Sequence, residues 1–338
     1  MMKRNQEKEP QPKMMKQKIA FFSFCLLLLC GCADGSDTDT DTGSGVSVPL
    51  RLQSVGVAGD GEVASRAVST TSLAIDKKIG FFVRRDEFNQ LKSNVEGGYV
   101  DNAWQPLSTS AGVWLNNHHA AIAIYAPYDE TQQNASSLTL KACLRGTDDA
   151  NNDIMCSEVF TANNGSIISS VTLKQVYTRL VFSFVKDDTY PEPHPLKIKA
   201  VELKGDDMYS STTYELLATP PVYVKPVNST VIRLDIPEPY PVVGKASESP
   251  GLIDLLLIPV TQAFTGDATL TITLTTDKKI SVVIPRATFD ANRPFAPGKQ
   301  YVLKVRILPT EMEIESVERE NWKDGFIVNK GDEFQFDN

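Results

Sequence analysis

Along most of the chain apolar and polar residues alternate with a period of two, the spacing that gathers apolar side chains on one face of a β-strand. Val46, Val48, Leu50 and Leu52 share one face, while Ser47, Pro49, Arg51 and Gln53 share the other. Leu270, Ile272 and Leu274 alternate with Thr269, Thr271, Thr273 and Thr275. Thr276-Asp277-Lys278 then turns the chain into a strand over Ile280–Ile284. Tyr301, Leu303, Val305 and Ile307 alternate with Lys304 and Arg306. Further strands are predicted over Ile79–Val83, Ala121–Tyr125, Leu138–Ala142, Leu180–Val185 and Leu252–Ile258. Apart from short turns near Asp86–Leu91, no stretch sustains the 3.6-residue spacing of an amphipathic helix.

Many short strands with turn residues between them predict an all-β sandwich or barrel. Apolar faces backed by Thr and Lys fit antiparallel sheets with one solvated side. A boundary is expected near Ser169–Lys174, after the polar stretch Ala162–Ser166 and before the strong strand at Leu180. The chain then divides into two β-sandwiches in tandem, 46–172 and 173–338. The proline-dense segments Pro191–Pro195 and Pro237–Pro241 read as loops or strand terminators.

The pattern breaks at the N-terminus. Ile19 to Cys30 is an apolar run of Ala, Phe, Leu, Ile, Ser and Cys behind Lys16 and Lys18, and it ends in Leu29-Cys30-Gly31-Cys32. It is too short to span a ~30 Å bilayer and fits the apolar region of a cleaved signal. Leu, a small residue, Gly and Cys in this order form a bacterial lipoprotein signal, which makes Cys32 the acylated first residue of the mature chain. Residues 1–13 are polar, so Met14 or Met15 gives a signal of ordinary length. Residues 32–45, with ADGSDTDTDTGSG over Ala33–Gly45, are acidic and of low complexity and read as a flexible linker.

Charge narrows the partners. Removing residues 1–31 takes away six basic and two acidic side chains of the 34 and 42 present, leaving a net charge of about −12. Such a surface offers no basic stripe for nucleic acid. An acyl group on Cys32 therefore has to supply attachment to the outer-membrane lipid. Cys143 and Cys156 are a candidate disulfide in an oxidising compartment, worth roughly 3 kcal/mol if formed; two separate thiols on neighbouring strands are the alternative.

Candidate chemistry is sparse. His118 and His119 are adjacent, so on a strand they face opposite sides, and His194 sits in a proline loop. No HExxH, CxxC, G-x-S-x-G or phosphate-binding glycine loop is present. The pairs Asp148-Asp149 and Asp206-Asp207 read as solvated turns, and Trp104 and Trp114 as core anchors or, less simply, a sugar-stacking platform. No catalytic residue, metal or cofactor is expected.

Several short stretches in order resemble the fimbrillin family of Bacteroidota, including the Mfa-like fimbrillins. They are Ser65-Arg66-Ala67, Lys78-Ile79-Gly80-Phe81-Phe82-Val83, Tyr125-Ala126-Pro127-Tyr128 and Asn152-Asp153-Ile154-Met155-Cys156. Leu173, Tyr177 and Leu180, then Phe295–Tyr301 and Asn321–Gly325, continue the likeness to the end of the chain. The resemblance implies two transthyretin-like β-sandwich domains and a subunit or accessory component of a surface fimbria. It also implies export as a lipoprotein and a cut between Arg66 and Ala67 by an Arg-specific protease. The cut frees the first strand, and a strand from another subunit fills the groove. The tail, with Phe326, Val328, Phe334 and Phe336 in alternation, is the candidate donor. A lipid-anchored adhesin for a host or bacterial surface ligand is the alternative.

Overall fold

The computed structural model describes residues 47–322, apart from 59–69, 87–89, 108–112, 147–152, 166–167, 192–195, 229–230, 246–249, 261–263 and 289–294. Cys32, Arg66, Ala67, His194, the Asp148-Asp149 pair and the tail phenylalanines therefore lie outside the described residues.

The described residues are built from β-strands, as the period of two requires. A five-stranded sheet runs in the order Cys143–Leu144, Gly251–Leu257, Thr178–Lys186, Lys299–Ile307, Met312–Asn321. A second sheet orders Val231–Asp235, Leu196–Lys204, Ala268–Leu274 and Lys279–Ile284, with Val242–Val243 beside Leu196. Leu180, Phe182, Phe184, Leu255 and Leu303 of the first meet Ile198, Val201, Leu270 and Ile272 of the second in one core. The pair is a β-sandwich. The turn predicted at Thr276–Lys278 joins Ala268–Leu274 to Lys279–Ile284, with Asp277 at φ 67°, a left-handed backbone that Asp tolerates.

The N-terminal half forms a larger sheet. Its order is Thr70–Ser72, Ser54–Ala58, Ser170–Gln175, Met155–Ser157, Ala120–Ala126, Ile79–Arg85, Gln90–Val100, Ala103–Pro106, with Phe160–Ala162 also on Ala120–Ala126. Gln90–Val100 and Ala103–Pro106 are joined by Asp101-Asn102, both at positive φ, the two-residue turn whose twist suits a hairpin. Ile79–Val83 is buried throughout because both faces of this strand are covered. Phe81 and Val83 face a core with Leu50, Leu52 and Trp104, whereas Phe82 faces a third cluster with Tyr125, Cys156, Tyr177 and Trp322. Glycine permits this packing: a Cβ on Gly80 would lie 2.0 Å from Tyr125 Cε1, and one on Gly97 would lie 2.2 Å from Phe81 Cε2.

Two features were not foreseen. Leu138–Lys141 pairs with Tyr209–Glu215, and Cys143–Leu144 with Gly251–Leu257, so residues from before position 172 complete sheets of the second half. The third cluster draws on Leu138, Leu140, Tyr214, Leu216 and Leu256, and it lies between the two other cores in composition.

Candidate functional site

The segment predicted as one strand over Val46–Leu52 keeps its alternation but bonds in two directions. Val48–Pro49 pairs antiparallel with Trp114–Leu115, Val48 opposite Leu115 and Pro49 opposite Trp114. The strand stops there because Pro49 has no N–H to donate. Leu50 N donates to Val113 O at 2.8 Å, and Leu52 exchanges both backbone bonds with Trp104 at 2.9 and 2.8 Å. Gln53 N and Ser54 N then donate to Ser169 O, and Ser54–Ala58 continues parallel to Ser170–Gln175. Leu50 and Leu52 have 0 % exposure, and Val55 and Val57 are buried with them.

This segment therefore fills a seat between Val113–Leu115 and Trp104 on one side and Ser169–Leu173 on the other. Thr70–Ser72 returns antiparallel to it, with Gly56 opposite Ser72 and Ala58 opposite Thr70. Residues 59–69, which include Arg66 and Ala67, are the covalent link from the seated segment to the residues that follow it.

Trp104 is 2 % exposed and packs edge-on to Tyr99 at 5.6 Å, so it closes the core over Leu52 and is not part of a sugar platform. Trp114 points the other way and is 51 % exposed, beside Pro49 on the outer face of the same pair. His118 and His119 lie in the polar approach to Ala120–Ala126, where His118 N donates to Asn116 Oδ1 at 3.1 Å. Asp207 accepts from Thr265 N and Oγ1 and so ties two loops together. Among the described residues, no group of three or more His, Cys, Asp or Glu could hold a metal ion.

Cys143 and Cys156 sit on different sheets, and both carry thiols in this structure. Cys156 is buried, and burial pushes its thiol well above the ordinary range. Both thiols act electrostatically on Tyr177, whose hydroxyl accepts a bond from Lys141 N and is itself driven up by burial.

One cluster escaped the sequence reading. Arg179 Nε and Nη2 bond Asp254 at 2.8–3.1 Å, and its Nη1 donates to Gln300 Oε1 at 2.5 Å. Arg145 Nε donates to Asp153 Oδ2 at 3.1 Å and reaches Asp254 through Nη1 at 3.5 Å. Both guanidinium groups lie over the indole of Trp322, at 5.0 Å for Arg145 and 5.8 Å for Arg179. Burial raises the Asp153 carboxyl to about 6 even though Arg145 pulls the other way. The one sequence signal was Asp254 interrupting the apolar run Leu252–Ile258. Arg179 lies opposite Leu256, two residues from Asp254, so their side chains share one face of the sheet.

Among the described residues, no helix is long and apolar enough to cross a membrane. A family model described as fimbrillin-like matches residues 65–322. No curated protein matches the chain. Among solved structures, a candidate cell adhesion protein from Bacteroides ovatus superposes with a TM-score of 0.55 at 14% identity, covering 82% of this chain and 98% of that one. A candidate cell adhesion protein from Bacteroides uniformis gives 0.53 at 13% identity, covering 83% and 99%. The likeness to these two shows a shared fold, and the family model, which covers most of both cores and ends on Trp322, shows that this chain belongs to the fimbrillin-like family.

Proposed function

We propose that this chain is a structural or accessory subunit of a cell-surface fimbria, exported as a lipoprotein acylated on Cys32 and assembled by protease-triggered strand exchange. The observation that carries the reading is the seat of residues 48–58. Four buried aliphatic side chains and a row of backbone bonds belong to a segment whose covalent tie passes through Arg66-Ala67. A cut there leaves the segment held by non-covalent contacts alone. Its departure exposes the backbone edge at Val113–Leu115 and Ser169–Leu173 and the apolar floor under Leu50 and Leu52, a template for an incoming strand.

On this reading the partners are other fimbrial subunits, through strand addition, and the outer-membrane lipid, through Cys32, until the cut. The tail residues Phe326, Val328, Phe334 and Phe336 have the alternation to occupy the seat. The two sandwich regions, 46–172 and 173–338, act as the tandem transthyretin-like domains of one subunit, and no step needs a catalytic group. The deciding measurement is mass spectrometry of the form on the cell surface. An N-terminus at Ala67 in assembled fibres supports exchange; acylated Cys32 in every form refutes processing and leaves an anchored component.

The half-exposed Trp114 favours a second reading, a lipid-anchored adhesin whose indole stacks on a surface glycan. Glycan binding lost in Trp114→Ala, with fibre assembly unchanged, selects it.

A further inference from the structure

Among the described residues the strand Met312–Asn321 lies at the edge of its sheet, paired with Lys299–Ile307 alone, in a register that ends at Lys299 opposite Asn321. The tail, residues 323–338, leaves from that end. Peeling of the strand from its tail end would therefore open the hydrogen bonds one at a time, beginning at Asn321.

Trp322 stands at the point where such peeling starts. Its N–H bonds Gly298 O at 3.1 Å, its side chain is 4 % exposed, and it packs in the cluster that holds Tyr125, Tyr177 and Leu256. Among the described residues its buried indole N–H has no hydrogen-bond partner, and the two guanidinium groups are its charged neighbours. The two guanidinium groups on it are fixed in turn: Arg145 by Asp153 and Asp254, Arg179 by Asp254 and Gln300. Gln300 Nε2 then donates to Glu320 Oε1 at 2.8 Å, which returns the network to the edge strand. These residues come from or adjoin six strands, and Asp153 leads directly into Met155–Ser157 of the N-terminal sheet.

We propose that the Arg145–Trp322–Arg179 stack is a tension anchor for the C-terminal tail. A pull on residues 323–338 is met at Trp322 and passed into both sheet systems together, so that Met312–Asn321 stays seated. The need for such an anchor rests on the reading above, in which the tail is held by a neighbouring subunit. Cation–π contacts suit the task because both are lost only when the ring is withdrawn from the two guanidinium groups.

The test is to stretch the single mature chain between handles at residues 47 and 338. The wild type is expected to rupture in one step. Trp322→Leu, which keeps an apolar plug but loses the stack, should show an earlier step at lower force that frees the ten residues of the edge strand, about 35 Å of chain. Trp322→Phe should fall between them. If Trp322→Leu does not fold, Arg145→Lys with Arg179→Lys, which retains both charges, should give the same early step. Wild-type behaviour in the leucine or lysine variants overturns the anchor, as does a lower main rupture with no early step, because that marks Trp322 as core filling alone. Wild-type chain that fails to polymerise after the Arg66 cut refutes strand exchange and leaves the pulling result standing, so the two failures are distinguishable.

Discussion

Leu52→Ala should accelerate loss of the first segment from a cut subunit by roughly a hundredfold. Leu52 has 0 % exposure and lies against Trp104, with which it also exchanges two backbone bonds. Truncating a leucine in such a site costs about 2–5 kcal/mol, the methyl groups lost plus the cavity left beneath the indole. In the uncut chain that loss appears as reduced stability of the N-terminal core. Once the chain is cut after Arg66, the same loss falls on the contacts that retain residues 46–66. About 1.4 kcal/mol per factor of ten gives an increase of roughly thirtyfold to a few thousandfold in the dissociation constant, carried mostly by the off-rate. The assay is to cut the chain, add a large excess of synthetic peptide spanning residues 46–58, and follow release of the original fragment by mass spectrometry. Gln53→Ala, at an exposed position of the same segment, is the control and should match the wild type. Release from Leu52→Ala within threefold of wild type would refute the seat as the element that holds the segment.

Gly80→Ala should destabilise the fold by about 1–3 kcal/mol, because the new methyl meets the Tyr125 ring, and an unchanged urea midpoint would contradict that packing. Asp153 titrates near 6 when folded and near its ordinary value when unfolded, so its contribution is fully present below about pH 4 and is lost as pH rises through 6. Melting temperature should therefore climb as pH falls from about 7 to 5, and Asp153→Asn should flatten that slope; an opposite slope difference sinks the assignment. Trp104→Ala should cost about 3–5 kcal/mol and Trp114→Ala within about 0.5 kcal/mol, measured by chemical denaturation, and equal losses would contradict their opposite burial. Under native conditions an alkylating reagent should label Cys143 well before Cys156, whose thiol is buried and held protonated; equal rates would mean that the third cluster opens readily.

The strands that sequence located best are those with one dry and one wet face. Ala268–Leu274 and Lys279–Ile284 alternate because Thr269, Thr271, Lys279 and Ser281 face outward while Leu270, Ile272, Ile280 and Ile284 meet the sandwich core. Alternation says which face is buried and nothing about which strand lies alongside. Hence the pairings of Leu138–Lys141 with Tyr209–Glu215 and of Cys143–Leu144 with Gly251–Leu257 had no local signature. The Asp101-Asn102 turn was legible in principle, since Asp and Asn tolerate the left-handed backbone it needs.

The two parts of the candidate site differ in legibility for a related reason. The first segment was found because its chemistry is local: an apolar face, a proline at its edge and an arginine beyond it all lie within about twenty residues of sequence. The anchor at Trp322 was not, because each of its charges sits where a strand would normally present a charge to water. Arg179 and Asp254 become interior only where Arg145, Asp153 and Trp322 close against them. A buried ion pair of this kind is a poor source of net stability compared with apolar side chains of the same size. Its value lies in geometry, since two carboxylates and an amide hold two guanidinium groups in place against one indole. That favours a role in holding the chain terminus in one place under strain, which uniform apolar packing would do less well.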